Sequence, residues 1–213
     1  MNRCTVFEAG LVGYGEGLAI QQAARERVAA GVWDGVLILL EHPPVITVGR
    51  SGGWGNLRVA PAILAAEGIE VVDTERGGNV TCHNPGQLVG YPVLDLSLWR
   101  KDVHWYVRML EETLIGTLTG FGLAGERRDG YTGVWLGPEK VAAIGVYVRD
   151  WITAHGFALN VANDLGLFDR IVPCGIREFG VTSLAQKQCR ADLKQVSARL
   201  QEVFGEVFDC ALT

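Results

Sequence analysis

Four short segments carry the side chains best suited to chemistry, and one of them holds a nucleophile. In IVPCG (171–175), Cys174 lies between a rigid proline and a permissive glycine, a turn that presents a side chain rather than burying it. Buried cysteines are ordinarily inert small hydrophobes, a reading that suits Cys4, Cys189 and Cys210 better than Cys174. A nucleophilic thiol needs a base or a cation at hand, and Lys140, His83 and His155 qualify by type. Lys140 opens the run EKVAAIGVYV (139–148), whose other members are nearly all apolar. Such a lysine is ordinarily a snorkelling edge residue, but facing a thiol in an apolar site it holds the thiolate by charge. His83 ends the glycine-bearing core of RGGNVTCHNPGQ (76–87), with Arg76 at the other end. Bare backbone between a cation and an imidazole can line a slot for a flat or extended substrate, although composition alone favours a plain glycine turn. It matches neither a Walker A loop nor Gly-x-Gly-x-x-Gly. His155 opens HGFALNV (155–161), where a satisfied structural histidine is the plainer reading and no acidic partner suggests a metal.

The elements that must position these segments are read from periodicity. Residues 16–30 and 61–67 read as helices, the first ending before Gly31 and the second running from Pro61 to Gly68. Val107, Leu110, Leu114 and Leu118 recur at helical spacing, which predicts a helix over 103–118. A terminal helix is predicted over 191–204. Strands are predicted at 36–41, 45–48, 70–73, 88–94, 133–136, 141–148 and 157–161, with 76–87 a loop. Strands and helices interleave without a strict βαβ period, so the fold class is α+β with a mixed β-sheet flanked by helices.

The chain has 213 residues, enough for one domain with a full core and no need of disulfides. Glycine accounts for 28 of them, close to twice the usual ~7%. Five irregularly spaced cysteines contain no Cys-x-x-Cys, so neither a zinc ribbon nor a disulfide framework is supported. The net charge of −5 leaves no basic footprint for nucleic acid. MNRCTVFEAG has no apolar signal region, and no aliphatic run is long enough to span a bilayer. A cytoplasmic protein with reduced thiols is expected.

Taken together, R-G-G-x-x-T-x-H-x-P-G-Q, Y-P-x-x-D-L, K-x-A-A-x-G, H-G-x-A-L-N-V and P-C-G resemble the lipoyl(octanoyl) transferases. The resemblance extends from E-H-P-P-V-I-T-V-G-R near residue 50 to Thr182-Ser183-Leu184, and the Lys140-to-Cys174 separation is characteristic of that family. It implies a biotin/lipoate protein ligase-type domain over residues 1–213. Cys174 would form an acyl-thioester, and Lys140 would lower its pKa. Substrate contacts would come from Arg76, Gly77, Gly78, Asn79, Val80, Thr81, Cys82 and His83, then Ala143, Ile144 and Gly145, then Gly156, Phe157 and Ala158. The family implies no metal and no cofactor. The donor would be octanoyl-acyl-carrier protein, and the acceptors lipoyl domains of 2-oxoacid dehydrogenase complexes or the glycine cleavage H protein. Neither nucleic acid nor membrane is implied. An ATP-dependent lipoate ligase would share the glycine loop and the lysine but does not need the P-C-G cysteine.

Two departures stand out. Asn84 replaces the glycine of His-Gly-Pro-Gly-Gln, which the turn is expected to survive because Asn tolerates φ > 0. Cys82 stands where a larger residue is usual, which leaves two expectations: an altered pocket shape or a second oxidisable thiol. Acidic protein partners would need a local basic patch, drawn from Arg50, Arg58, Arg127, Arg128 or Arg149, or apolar docking. Each buried methylene gains ~0.8 kcal/mol, so an open groove would favour ever longer chains. A preference for eight carbons therefore needs a closed end, with Val80, Ile144 and Phe157 expected as walls or floor.

Overall fold

Hydrophobic alternation organises the molecule around one large sheet. The computed structural model describes residues 1–173 and 179–213. In chain order the elements begin with β1 (Asn2–Leu11), α1 (Tyr14–Ala29), β2 (Gly35–Glu41), β3 (Val45–Val48), α2 (Pro61–Ala66) and β4 (Glu70–Asp73). β5 (Val80–His83), β6 (Gln87–Leu94), α3 (Val103–Thr119), β7 (Glu126–Arg128) and β8 (Tyr131–Leu136) follow. The chain continues through β9 (Glu139–Arg149), β10 (Ile152–Asn160), β11 (Gly180–Val181), α4 (Leu193–Phe208) and β12 (Cys210–Leu212). The large sheet has the order β12-β1-β2-β6-β10-β9-β8-β7, with β11 added beside β9. Its β12–β1–β2 and β11–β9 pairs are parallel and the others antiparallel, so the sheet is mixed as predicted.

β2 shows why the sheet is covered on both faces. Its apolar run alternates between two cores: Leu37 and Leu39 face one cluster, while Val36, Ile38 and Leu40 face the other. The first cluster lies beneath α3 and α4, whose buried Tyr106, Leu110, Leu114 and Leu118 and Val196, Leu200 and Phe204 form apolar stripes. Gly116 lets these two helices close up, since a Cβ there would stand 2.7 Å from a Val203 methyl. Both helices start on aspartates: Asp102 accepts from Trp105 N–H, and Asp192 forms a capping box with Gln195. The second cluster is covered by α1 through Ala24 and Val28. Pro92 cannot donate within β6, and the Thr153 hydroxyl stitches the gap, donating to Pro92 O and accepting from Leu94 N–H.

The short strands β7, β11 and β12 and the first half of β10 go beyond the periodicity reading, and other departures bear on the site. β1 is a long strand that sequence periodicity does not announce; its half-exposed residues blur the alternation. The 76–87 segment is not all loop, because 80–83 form the buried strand β5. The strands near residues 45 and 70 do not join the large sheet; with β5 they make a second, three-stranded sheet of order β4-β3-β5. A third apolar cluster, including Ile46, Leu64, Val80 and Cys82, packs this small sheet against α2 and the 165–170 turn. Among the described residues no helix is long and apolar enough to cross a membrane.

Candidate functional site

The register of β9 and β10 leaves a bare patch in the large sheet. Ala143 pairs with Ala158 and Gly145 with Gly156, so four neighbouring positions on one face carry at most a methyl group. Above this patch lies a cavity of about 260 Å³. The small sheet and the 76–79 loop roof it. Strand alternation in β5 then sorts the predicted contact residues: Thr81 and His83 line the cavity, while Val80 and Cys82 point into the small sheet's own core. Val80 is therefore no wall of the site, and Cys82 does not shape the pocket. Gly78 and Asn79 line the cavity from the loop; Gly77 does not. Instead Gly77 N–H donates to Val146 O at 2.8 Å, pinning the loop to β9, and a Cβ on Gly145 would stand 2.7 Å from Gly77 O. Ile144 and Phe157 line the cavity while also packing with the cluster beneath α3 and α4.

Arg76 is built in rather than displayed. It is 8% exposed, and Nη2 donates to Thr47 O at 2.7 Å and to Thr47 Oγ1 at 2.8 Å. Its guanidinium thus sets a fixed positive charge at the cavity wall. The Asn84 substitution is absorbed differently from the sequence reading. The positive φ of that turn falls on Gly86 (φ 89°), and Asn84 instead donates to Asp164 O at 2.7 Å and accepts from Asn163 Nδ2.

Lys140 marks one end of the cavity. Its Nζ donates to Thr132 O at 2.8 Å and lies 4.9 Å from the centre of the Trp135 ring. The side chain crosses Gly133, whose φ of 134° excludes other residues and where a Cβ would meet Lys140 Cε at 2.5 Å. Glu111 on α3 fixes that crossing point. It is 1% exposed, accepts from Gly133 N–H at 3.1 Å, and pairs with Arg108 and Arg127. Pro173 lines a small adjoining cavity together with Lys140 and Thr81. Cys174, the predicted nucleophile, lies outside the described residues.

The far end is lined by aromatic rings, with the Arg76 guanidinium beside them. Tyr14, His83, Tyr91 and His155 line it, with His42 behind them contacting Tyr14, His83 and Tyr91. His42 Nδ1 bonds Val12 O and Nε2 bonds the Tyr91 hydroxyl, both at 2.8 Å. A carbonyl accepts only, so Nδ1 carries the proton and Nε2 receives the tyrosine's. His83 Nδ1 contacts Gln87 Oε1 at 2.7 Å, and the same amide's nitrogen donates to Asn160 Oδ1. This fixes the amide orientation and puts the His83 proton on Nδ1. Burial, followed by the charge of His42, pushes the His83 pKa down to about 3. Burial and the neighbouring Arg76 push His155 down to about 4. Both rings are neutral near pH 7. His155 is not the satisfied histidine of the plainer sequence reading, since its buried Nδ1 has no partner among the described residues.

The structure thus brings together Lys140, Arg76, Thr81, His83 and both Ala/Gly pairs. Tyr14 and Tyr131 join the lining without having been singled out in the sequence, and Tyr91, noted there only within Y-P-x-x-D-L, joins it too. Among the arginines considered for a basic patch, Arg127 is engaged by Glu111 and Glu112, and Arg128 donates to Gly137 O. Arg149 lies 3.7 Å from Asp150 on the surface. No continuous patch is formed by these three. A narrow cavity with a methyl-and-glycine floor, a lysine at one end and neutral aromatics at the other suits a thin unbranched apolar chain carrying a reactive head.

Comparison with known proteins agrees with this geometry. Residues 13–205 match the family model of the lipoyl protein ligase A/B catalytic domain. The chain is 47% identical over 208 residues to an octanoyltransferase of Thermoanaerobacter sp. (strain X514), covering 98% of this chain and 91% of that one. It is 48% identical over 209 residues to an octanoyltransferase of Gloeobacter violaceus, with the same coverages. Among solved structures, lipoate-protein ligase A bound with ATP superposes with a TM-score of 0.77 at 16% identity, covering 100% of this chain and 87% of that one. The bipartite lipoate protein ligase of Thermoplasma acidophilum gives 0.76 at 16% identity, covering 100% and 85%. The fold is therefore that of the lipoate protein ligases, and the chain belongs to the lipoyl protein ligase A/B catalytic-domain family.

Proposed function

We propose that this chain is an octanoyltransferase of protein lipoylation that works through a thioester on Cys174. One observation carries the reading: a cavity of acyl size with an Ala/Gly floor ends at Lys140, and Pro173, the residue before Cys174, lines an adjoining space with the same lysine. The near full-length octanoyltransferase relatives supply the substrate class. In the first half-reaction the Cys174 thiolate attacks the thioester carbonyl of octanoyl-acyl-carrier protein. The carrier's sulfur leaves and takes a proton, and one thioester replaces another at little net cost. In the second, the amine of a lipoyl-domain lysine attacks the enzyme thioester. An amide forms, the Cys174 sulfur leaves, and the amine's proton returns to solvent or the thiolate. The second step is downhill, so no ATP is consumed.

The chain's own residues supply three things. As an ammonium within about 4–6 Å of the sulfur, Lys140 would lower the thiol pKa by ~1–3 units, enough for the thiolate to dominate near neutrality. The Ala143/Ala158 and Gly145/Gly156 pairs leave room for the chain between sheet and loop, with Arg76, Gly77, Gly78, Asn79, Thr81 and His83 forming or pinning the roof. The small and apolar residues lining the cavity would shield the bound chain from water. Residues 1–213 act as one catalytic unit in the cytoplasm. The donor is an acyl-carrier protein, and the acceptors are lipoyl domains of 2-oxoacid dehydrogenases or the glycine cleavage H protein.

Intact mass spectrometry tests the reading. Octanoyl-acyl-carrier protein alone should leave one octanoyl group on the enzyme, mapped to Cys174, and adding lipoyl domain should discharge it onto a lysine. Cys174→Ala should take up no acyl group while keeping the wild-type melting temperature. Modification of lipoyl domain from ATP and free octanoate, or an adduct mapped to Cys82 or Cys189, would replace this mechanism.

A further inference from the structure

Beyond the acyl cavity lies a second space of about 540 Å³, lined in part by Gln21 and Arg25 of α1, by Arg50 and Thr74, and by Tyr147 and Ala154. It continues the first along the same strand pair, for Ala154 pairs with Tyr147 just past the pairing of His155 with Val146. His155 is the one described residue that lines both spaces. The backbone there is turned out of the strand pattern, with φ 55°, and is held by donation from His155 N–H to Gln21 Oε1 at 2.7 Å. That turn defeats the alternation of β10 and lets the ring stand across the bare face rather than beneath it. The ring meets Tyr91 edge-on at 6.2 Å. Beside it, the Tyr14 hydroxyl donates to Thr74 Oγ1 at 3.3 Å, spanning the same boundary, since Tyr14 lines the cavity and Thr74 the groove.

Resting on the octanoyl-transfer reading, we propose that His155 is the stop that limits acyl-chain length, its ring closing the cavity against an already formed groove. The groove beyond offers empty volume and some apolar wall in Leu18, Ala154 and the Tyr147 ring, which Arg25 flanks at 5.4 Å and Arg50 at 6.0 Å. Its rim is charged, with Asp73 and Glu75 also lining it. Among the described residues the ring has no hydrogen-bond partner at Nδ1, so it is a stop by packing rather than by a bond at that atom. Its length limit is therefore set by shape, and removing the ring joins the two spaces.

The experiment measures acyl-enzyme formation from octanoyl-, decanoyl- and dodecanoyl-acyl-carrier protein by intact mass, for wild type, His155→Gly and His155→Asn. Glycine takes the positive φ freely, and asparagine tolerates it with a shorter side chain, so either variant can report if the other does not fold. In wild type the dodecanoyl rate should fall below the octanoyl rate. In the variants the dodecanoyl-to-octanoyl ratio should rise at least tenfold, within a ceiling of about fourfold per added methylene. A rise of less than tenfold in both folded variants overturns the assignment. So does wild-type enzyme acylated as fast by dodecanoyl as by octanoyl carrier protein, which needs no variant. Wild type that takes up no octanoyl group at all is a different result: it removes the transferase reading, and the stop with it.

Discussion

Lys140 reaches the cavity because everything around its stem is cut away or tied down. Gly133 yields the space, Thr132 O and the Trp135 ring receive the Nζ, and Glu111 holds the Gly133 backbone from behind. Two predictions belong at this scale. Lys140→Ala should move the pH profile of Cys174 alkylation upward and lower turnover near neutrality by at least tenfold, whereas Lys140→Arg should restore the profile in part, because guanidinium keeps the charge but barely releases protons. Iodoacetamide rates across pH read this directly, and an unmoved profile in Lys140→Ala would refute the charge role. Glu111→Ala leaves a buried Gly133 N–H unpaired and takes the carboxylate from Arg108, while Arg127 keeps Glu112. It should cost roughly 1.5–3 kcal/mol in urea unfolding and reduce acylation in the folded fraction. A stable variant with normal acylation would show that Glu111 does not position the lysine's crossing point.

At the scale of elements, the site is a place where two sheets approach without side chains between them. β9 and β10 bring four Ala/Gly positions into register, and the 76–79 loop is pinned to β9 at Val146. Gly145→Ala places a methyl 2.7 Å from Gly77 O, closer than real contacts allow, so the loop or the strand must shift. The expected cost is about 1–3 kcal/mol of stability, with acyl-enzyme formation falling at least tenfold more than that stability loss leaves unfolded. Acylation rates normalised to folded protein check it, and a wild-type rate would mean that the loop does not roof the acyl chain. β5 illustrates how much one strand decides. Read as a loop, all eight residues from Arg76 to His83 are equivalent candidates, whereas read as a strand they divide into lining Thr81 and His83 and core Val80 and Cys82.

Across the whole molecule, the buried imidazoles couple the site to stability. His83 and His155 have native pKa values of about 3 and about 4, below the ~6.5 of an unfolded chain. Above pH 6.5 both states leave them neutral and their contribution is complete. As pH falls below 6.5 the unfolded chain takes up protons that the native site refuses, and each ring removes about 1.4 kcal/mol per pH unit. The loss continues down to about pH 4 for His155 and about pH 3 for His83. Urea unfolding of wild type and His155→Asn between pH 6.5 and 4 should therefore differ in slope by one ring's worth, with the variant less acid-sensitive. Parallel slopes would show that His155 is protonated in the native protein.

The local signals in the chain are strong where physics is local. The four main helices were legible from apolar spacing and from their ends, with boundaries off by up to four residues, as at α4. Strands 36–41 and 45–48 agree with β2 and β3 within a residue. Residue types alone left Lys140, Arg76 and His83 with plainer structural readings, and only the family resemblance joined them to the Gly/Ala runs of β9 and β10 as one set. What tertiary structure alone decided is which of them face one another. The split into two sheets, the pairing of Ala143 with Ala158 and of Gly145 with Gly156, the turn of His155 out of its strand and the grip of Glu111 on Gly133 all join residues distant in the chain. The energy of such contacts depends on register and burial, and neither exists until the chain has closed on itself.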